Sequence, residues 1–397
     1  MTVIRALIGV LCGCLATGCL SLQEADFAEV VKLAARHDAW LRRHTGIPSV
    51  AVSPLNGRLW VTFYGGVTPG EDSNSYIPLV TSVDGGKTWK TVCVAEPVKG
   101  RRVFDPELWV APDGRLRWTF TSRECVSVDT DNLKPYSGVD GPVSSDRLLM
   151  AELDAEHEPQ RLPSLRMVAD GVMMCKPIVT RDGAWILPVA RWYAEPSACF
   201  FASTDGGKTF AFRGGVTHFP KSNRLYDEHT VIEKANGDWL AFIRAKGSPS
   251  CLESESRDGG RTWTKAKKAR FEHTSSRHFL RKLRSGNLLL VKNGPFDQDT
   301  GRTRLMAFLS MDDGVTWRGG LMLDSRGNVS YPDGDQAPDG TIFVVHDHER
   351  LKAQEILLDV FTEQDVLAGR VVTPGMSLQN VISTEEIYKL DSVRIER

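Results

Sequence analysis

Short apolar runs separated by glycine-bearing turns dominate the chain. Thr230-Val231-Ile232-Glu233 leads into Asn236-Gly237, and Trp239-Leu240-Ala241-Phe242-Ile243 leads out of it. Two strand-like runs around a turn that tolerates positive φ predict a β-hairpin. The turn signal recurs at Asn56-Gly57, Asp113-Gly114, Asp182-Gly183, Ser285-Gly286 and Asp339-Gly340, at intervals of 49 to 69 residues. One such hairpin is weak evidence. Six at this spacing predict repeated four-stranded antiparallel units, and units of that size arranged radially make a propeller. The expected fold is all-β, a six-bladed β-propeller over residues 46–397. Ahead of it, Phe27, Val30, Val31 and Ala34 fall at helical spacing, which predicts a short amphipathic helix within a linker of residues 20–45.

A second repeat runs in phase with the first. Ser82-Val83-Asp84-Gly85-Gly86-Lys87-Thr88-Trp89 recurs as Ser203 to Phe210, Ser256 to Trp263 and Ser310 to Trp317, all fitting S-x-D-x-G-x-T-[WF]. The aspartates Asp84, Asp205, Asp258 and Asp312 can accept hydrogen bonds across a tight turn, the glycine permits the turn, and the aromatic packs beneath it. Their role is structural. The boxes start 121, 53 and 54 residues apart, so the first gap spans two blades. Six hairpins and one skipped box agree.

Composition narrows the function. With 49 Lys+Arg against 50 Asp+Glu the net charge is −1, and 41% of residues are hydrophobic. That excludes nucleic acid or an anionic membrane held by bulk electrostatics. Residues 1–19 carry one basic residue, Arg5, an apolar run from Ala6 to Leu15, and Ala16-Thr17-Gly18-Cys19. This is the layout of a secretory signal, too short to span a membrane. Small residues before a cysteine resemble a bacterial lipoprotein processing site, with Cys19 as the lipidated residue; cleavage by ordinary signal peptidase is the alternative. Either way an exported protein is expected, with any membrane contact through the anchor. Of eight cysteines, Cys93, Cys125, Cys175, Cys199 and Cys251 lie in the body. No pair has C-x-x-C spacing, so neither a zinc site nor a disulfide framework is expected. No cofactor motif is present.

Hairpin geometry places the chemistry. Counting eight residues back from each turn gives Pro48, Asp105, Met174, Glu228, Arg277 and Tyr331. If the first strand of each blade lines the axis, these six form a ring around one mouth of the channel. Arg244, seven residues after Gly237, returns to the same end as Glu228. A glutamate, arginines and a tyrosine would converge there. Each also has a plainer reading: Tyr331 as a turn aromatic, Arg244 as a salt-bridge partner of Glu228, Asp105 as a turn cap. His346 and His348 alternate on one face of a strand beside Asp347. They are read as hydrogen-bonding or subsite residues rather than metal ligands.

The four boxes, with three further segments, resemble the sialidase superfamily from Ile47 to about Glu363. Tyr226-Asp227-Glu228-His229-Thr230 with Arg244 is similar to the segment that supplies a catalytic glutamate and one arginine of a carboxylate-binding triad. Arg302, eight residues before a box serine, stands where another triad arginine sits. Ser330-Tyr331-Pro332-Asp333 resembles the stretch bearing a nucleophilic tyrosine. The resemblance implies a retaining exo-glycosidase acting on terminal sialic acid of a glycan or glycoconjugate. Tyr331 would be the nucleophile and Glu228 its proton acceptor. The general acid would come from the loop Gly70-Glu71-Asp72-Ser73, with Asp72 preferred over Glu71. A neutral phenol suits a reacting carbon that bears a carboxylate, because it avoids repulsion between anions.

One departure stands out. The superfamily carries Arg-Ile-Pro near the start of the first blade, and this chain has Gly46-Ile47-Pro48. The first triad arginine is missing. Arg277 or Lys176 is expected to supply the charge from another blade. The alternatives are a hydrolase of another acidic sugar, such as a uronic acid, and a glycan-binding propeller without catalysis.

Overall fold

The computed structural model describes residues 26–384 except 132–139, 193, 218–221, 223, 225 and 248. Cys19 and the signal segment lie outside the described residues. Six antiparallel sheets follow one another along the chain, the blades of a propeller. Blade 1 holds His44–Val52, Leu59–Gly66, Ser75–Ser82 and Lys90–Pro97, and blade 6 holds Val329–Gln336, Ile342–His348, Glu355–Phe361 and Ser377–Ser383. Blade 2 starts with Arg101–Val110, blade 3 with Val172–Met173, blade 4 with His229–Glu233 and blade 5 with Phe279–Lys282. Inner strands are buried on both faces, as in Leu59–Gly66 and Trp239–Arg244. Blades stack face to face, so these strands are written as continuous apolar runs rather than strict alternation.

The boxes act as the sequence implies. In each, the threonine hydroxyl donates to the aspartate at 2.6 Å: Thr88 to Asp84, Thr209 to Asp205, Thr262 to Asp258 and Thr316 to Asp312. These bonds to the ionised form hold Asp258 and Asp312 near 2. The indole of Trp263 donates to Gly260 O at 3.0 Å, closing the turn from below. All five body cysteines are free thiols, four of them buried.

The expected N-terminal helix does not form. Ala28–Val31 is a strand that pairs with Val94–Pro97 as a fifth strand on the outer edge of blade 1. Two single turns of 3-10 helix, Ala35–His37 and Ala39–Leu41, follow it. The α-helix of the described residues is Glu363–Ala368, between the third and fourth strands of blade 6, capped by Thr362 and Gly369.

Candidate active site

The mouth at which the inner strands begin holds a cavity of about 400 Å³. Three blades build its rim by one device. Ile47, Asp105 and Tyr331 have φ of 52°, 52° and 54°, and each sits where the register with the second strand slips. Such bulges re-aim a side chain, and a non-glycine residue at positive φ costs roughly 1–3 kcal/mol. In blade 1 the equivalent of Asp105 and Tyr331 is therefore Ile47, not Pro48. The first hairpin has one extra residue: Ser53 N bonds Arg58 O, whereas Ala111 N bonds Arg115 O and Ala337 N bonds Thr341 O.

Tyr331, Glu228 and Arg244 come together from blades 6 and 4. The Tyr331 hydroxyl donates to Glu228 Oε1 at 3.1 Å and accepts from Arg244 Nη1 at 2.9 Å. Arg244 also pairs with Glu228. All three are at least 95% buried, and Glu228 Oε2 has no hydrogen-bond partner among the described residues. Burial and the Glu228 charge raise the Tyr331 phenol above its usual value, against Arg244, Arg350 and Arg302. Arg302 faces the same ring, its Cζ 5.2 Å from the centroid. Trp192 and Tyr226, with centroids 5.1 Å apart, form an aromatic wall.

Three expected site residues lie elsewhere. Asp72 is fully buried in its own loop, where its carboxylate accepts Thr68 Oγ1 at 2.7 Å and Asn74 N at 2.8 Å. It braces the loop and is replaced at the cavity by its neighbour Glu71. Lys176 is buried beneath the floor, with Nζ 2.7 Å from Asp333 Oδ2, 2.9 Å from Glu107 Oε1 and 2.7 Å from Val50 O. It ties blades 1, 2, 3 and 6 at the axis. Arg277 donates to the backbone oxygens of Met174, Pro48 and Tyr331 at 2.7 to 2.8 Å. Strand counting located its Cα correctly, but its side chain turns beneath the ring.

The carboxyls that line the cavity besides Glu228 are Glu71, Asp105 and Asp140. Asp105 is pushed up to about 8, by burial first and then by the negative charges of Glu71 and Glu228, with Arg102 and Arg277 opposing. It holds its proton at neutral pH. Desolvation would raise Glu71 too, but His44, Arg102 and Arg350 outweigh it and keep that carboxyl below its ordinary value. The guanidinium nitrogens of Arg102 and Arg350 approach Glu71 to 3.8 and 3.9 Å.

Arg350 escaped the sequence reading. It lies in the loop after Ile342–His348, and its Cζ sits 4.1 Å from the Tyr331 ring centroid. Glu71, Arg302 and Arg350 share a topological address, the connection between second and third strands of their blades, and Arg244 ends the second strand that leads into it. Counting only along first strands passes over it. The hollow of about 460 Å³ at the opposite mouth, lined by Trp109, Pro177, Arg281 and Asp335 among others, holds none of these groups. His346 is buried between Asp324 and Asp359, and His348 pairs with Glu355.

A BNR repeat-like domain model matches residues 143–344, just over half of the chain. The chain belongs to this family. No curated protein matches it. Among solved structures, this BNR repeat-like propeller is similar to the Hadza microbial sialidase Hz136, at 18% identity, TM-score 0.59, covering 81% of this chain and 66% of that one. It is similar to the intramolecular trans-sialidase from Ruminococcus gnavus, solved with oseltamivir carboxylate, at 15% identity, TM-score 0.61, covering 87% and 99%. A protein of unknown function from Dyadobacter fermentans matches at 18% identity, TM-score 0.58, covering 82% and 94%. These likenesses establish a shared fold.

Proposed function

We propose that this BNR repeat-like propeller is a retaining exo-glycosidase that removes terminal sialic acid from glycans. The observation that carries the reading is the contact of Tyr331 with both Glu228 and Arg244 at the wall of an open cationic cavity. Glu228 accepts the phenol proton as the Tyr331 oxygen bonds to the anomeric carbon. The bond from that carbon to the leaving oxygen breaks, and the leaving oxygen takes the proton of Asp105. Water then gives a proton back to Asp105 and attacks the same carbon, while the departing phenol oxygen recovers its proton from Glu228. Two displacements retain configuration. Glu71 serves by its charge, which helps keep Asp105 protonated. Arg244 and Arg302 surround the phenol, so an anion held by them lies beside the attacked carbon. That position suits a 2-keto-acid sugar better than a uronic acid, whose carboxylate is on C5, beyond the ring oxygen from the anomeric carbon.

Release of 4-methylumbelliferone from its N-acetylneuraminic acid glycoside tests the reading. Wild type should cleave it and leave the matching glucuronide intact, and Glu228→Gln should lose roughly 100- to 10,000-fold in kcat. Tyr331→Phe should lose at least as much. Full activity in Tyr331→Phe would remove the nucleophile assignment. Cleavage of the glucuronide alone would favour a uronic acid hydrolase, and glycan binding without cleavage a binding module.

A further inference from the structure

We infer that Arg350, on the last blade, is the substitute for the arginine that position 46 lacks, and that with Arg244 and Arg302 it completes a three-arginine carboxylate clamp. The inference rests on the acidic-sugar reading above. A Cβ built on Gly46 would stand 2.8 Å from both Cδ and Nε of Arg350 and 3.0 Å from its Cγ. The Arg350 stem thus occupies the volume that a side chain at position 46 would enter. Gly46 does not have positive φ, so its backbone conformation is open to other residues. What requires glycine there is the guest arginine.

The guanidinium is fixed at Nε and unpaired at Nη2. Nε donates to Asp347 Oδ2 at 2.7 Å, and the same oxygen accepts the backbone N–H of Ile47 at 2.9 Å. Asp347 Oδ1 accepts Ser330 Oγ at 2.7 Å, and the Arg350 carbonyl accepts Thr45 N at 3.0 Å. Asp347 is therefore a positioning residue that ties the arginine to the strand it covers. Nη2 is buried with no hydrogen-bond partner among the described residues, and Arg350 lines the cavity beside Tyr331. A planar fork with a free N–H edge next to two further arginines fits a bidentate carboxylate. Glu71, at 3.9 Å from Nη1 and partly exposed, is a looser partner.

Calorimetric titration of free N-acetylneuraminic acid into the full chain tests the swap. Arg350→Ala should weaken binding about 30-fold or more. Gly46→Ala should weaken it as well, by displacing the arginine stem. The double variant Gly46→Arg/Arg350→Ala should return to within about threefold of wild type, because the new side chain enters the vacated volume from the other blade. Arg350→Gln, which keeps a stem over Gly46, serves if the double variant does not fold, and it should bind as weakly as Arg350→Ala. Wild-type affinity in Arg350→Ala or Arg350→Gln would overturn the inference and leave the acidic-sugar reading intact, and so would a folded double variant as weak as Arg350→Ala. Failure of wild type itself to bind N-acetylneuraminic acid would overturn that reading, and the clamp with it.

Discussion

At the scale of single residues, the site works by forcing similar groups into different protonation states. Asp105 and Glu71 share one cavity, yet burial and two negative neighbours keep the first protonated to about 8, while three basic groups keep the second ionised. The unfolded chain releases the Asp105 proton near its ordinary 3.8. Between those values the folded state binds a proton that the unfolded state has lost, so this group lowers stability as pH rises from about 4 to about 8. Asp105→Asn should melt above wild type at pH 7.5 and level with it at pH 4, by up to a few kcal/mol. The proposed glycosidase activity should fall most, in this variant, on substrates with poor leaving groups. Wild-type kcat/KM should decline above about pH 8, and Glu71→Gln should move that decline to lower pH by removing a neighbouring charge. A pH profile measured on all three proteins decides. Tyr331, Glu228, Arg244 and Arg302 were legible in the sequence because strand counts and family-like segments index them. The loop of Glu71 was legible but the choice between Glu71 and Asp72 was not, and Arg350 was missed, because both project from loops where no strand period fixes direction. Arg277 shows the converse limit: a correct backbone position does not reveal which way a long side chain turns.

At the scale of elements, short-range signals were reliable where the turn itself decides the structure. Six hairpins and four boxes formed where glycine, aspartate and threonine spacing placed them. The N-terminal segment failed because a short isolated helix is marginal, while the outer edge of blade 1 offered unpaired backbone groups. Four backbone partners, Ala28 with Pro97 through Val31 with Val94, satisfy that edge. Phe27 gains burial against Arg101, whose Cζ lies 5.1 Å from the ring centroid. The second strand of blade 6 makes a pH-dependent joint with its neighbours. His346 is fully buried between Asp324 of blade 5 and Asp359 of its own blade, at 3.2 and 3.1 Å. Burial alone would lower this imidazole, but the two carboxylates outweigh it and raise it from 6.5 to about 9. The stabilisation is complete below pH 6.5 and is lost as pH rises through 9. Denaturant titrations at pH 6.5 and 9.5 should show wild type losing stability between them. His346→Gln should be less stable at pH 6.5 and nearly level across that interval, because Asp324 then keeps only Arg326, and Asp359 only the Gln379 N–H, at both values.

At the scale of the whole molecule, the propeller must close between its first and last blades, and here closure and chemistry share residues. All six blades are built from successive stretches of chain, and among the described residues no strand exchange joins blade 6 to blade 1. The apolar half of the seam packs Val50, Val52 and Val61 against Val345, Ile356 and Leu358. Its polar half includes blade 6 aspartates that accept backbone N–H groups of the blade 1 inner strand. Asp347 takes Ile47 at 2.9 Å, Asp333 takes Val50 at 3.0 Å and Asp335 takes Val52 at 3.0 Å. These carboxylates run from the mouth that holds Tyr331 toward the opposite one. Asp347 stands beside Arg350, whereas Asp335 lines the far hollow. Two substitutions along one seam should therefore separate closure from recognition. Asp335→Ala should cost about 1 kcal/mol of stability, the worth of one partly exposed hydrogen bond, with unchanged affinity for N-acetylneuraminic acid. Asp347→Ala should cost about 3 kcal/mol, because it unpairs a buried guanidinium along with the Ile47 N–H. It should also weaken that affinity, since Arg350 loses the anchor that aims its free edge at the cavity. Thermal melts and titration of the same two variants provide the check. Equal affinity in both would mean that the last blade closes the ring without orienting the site.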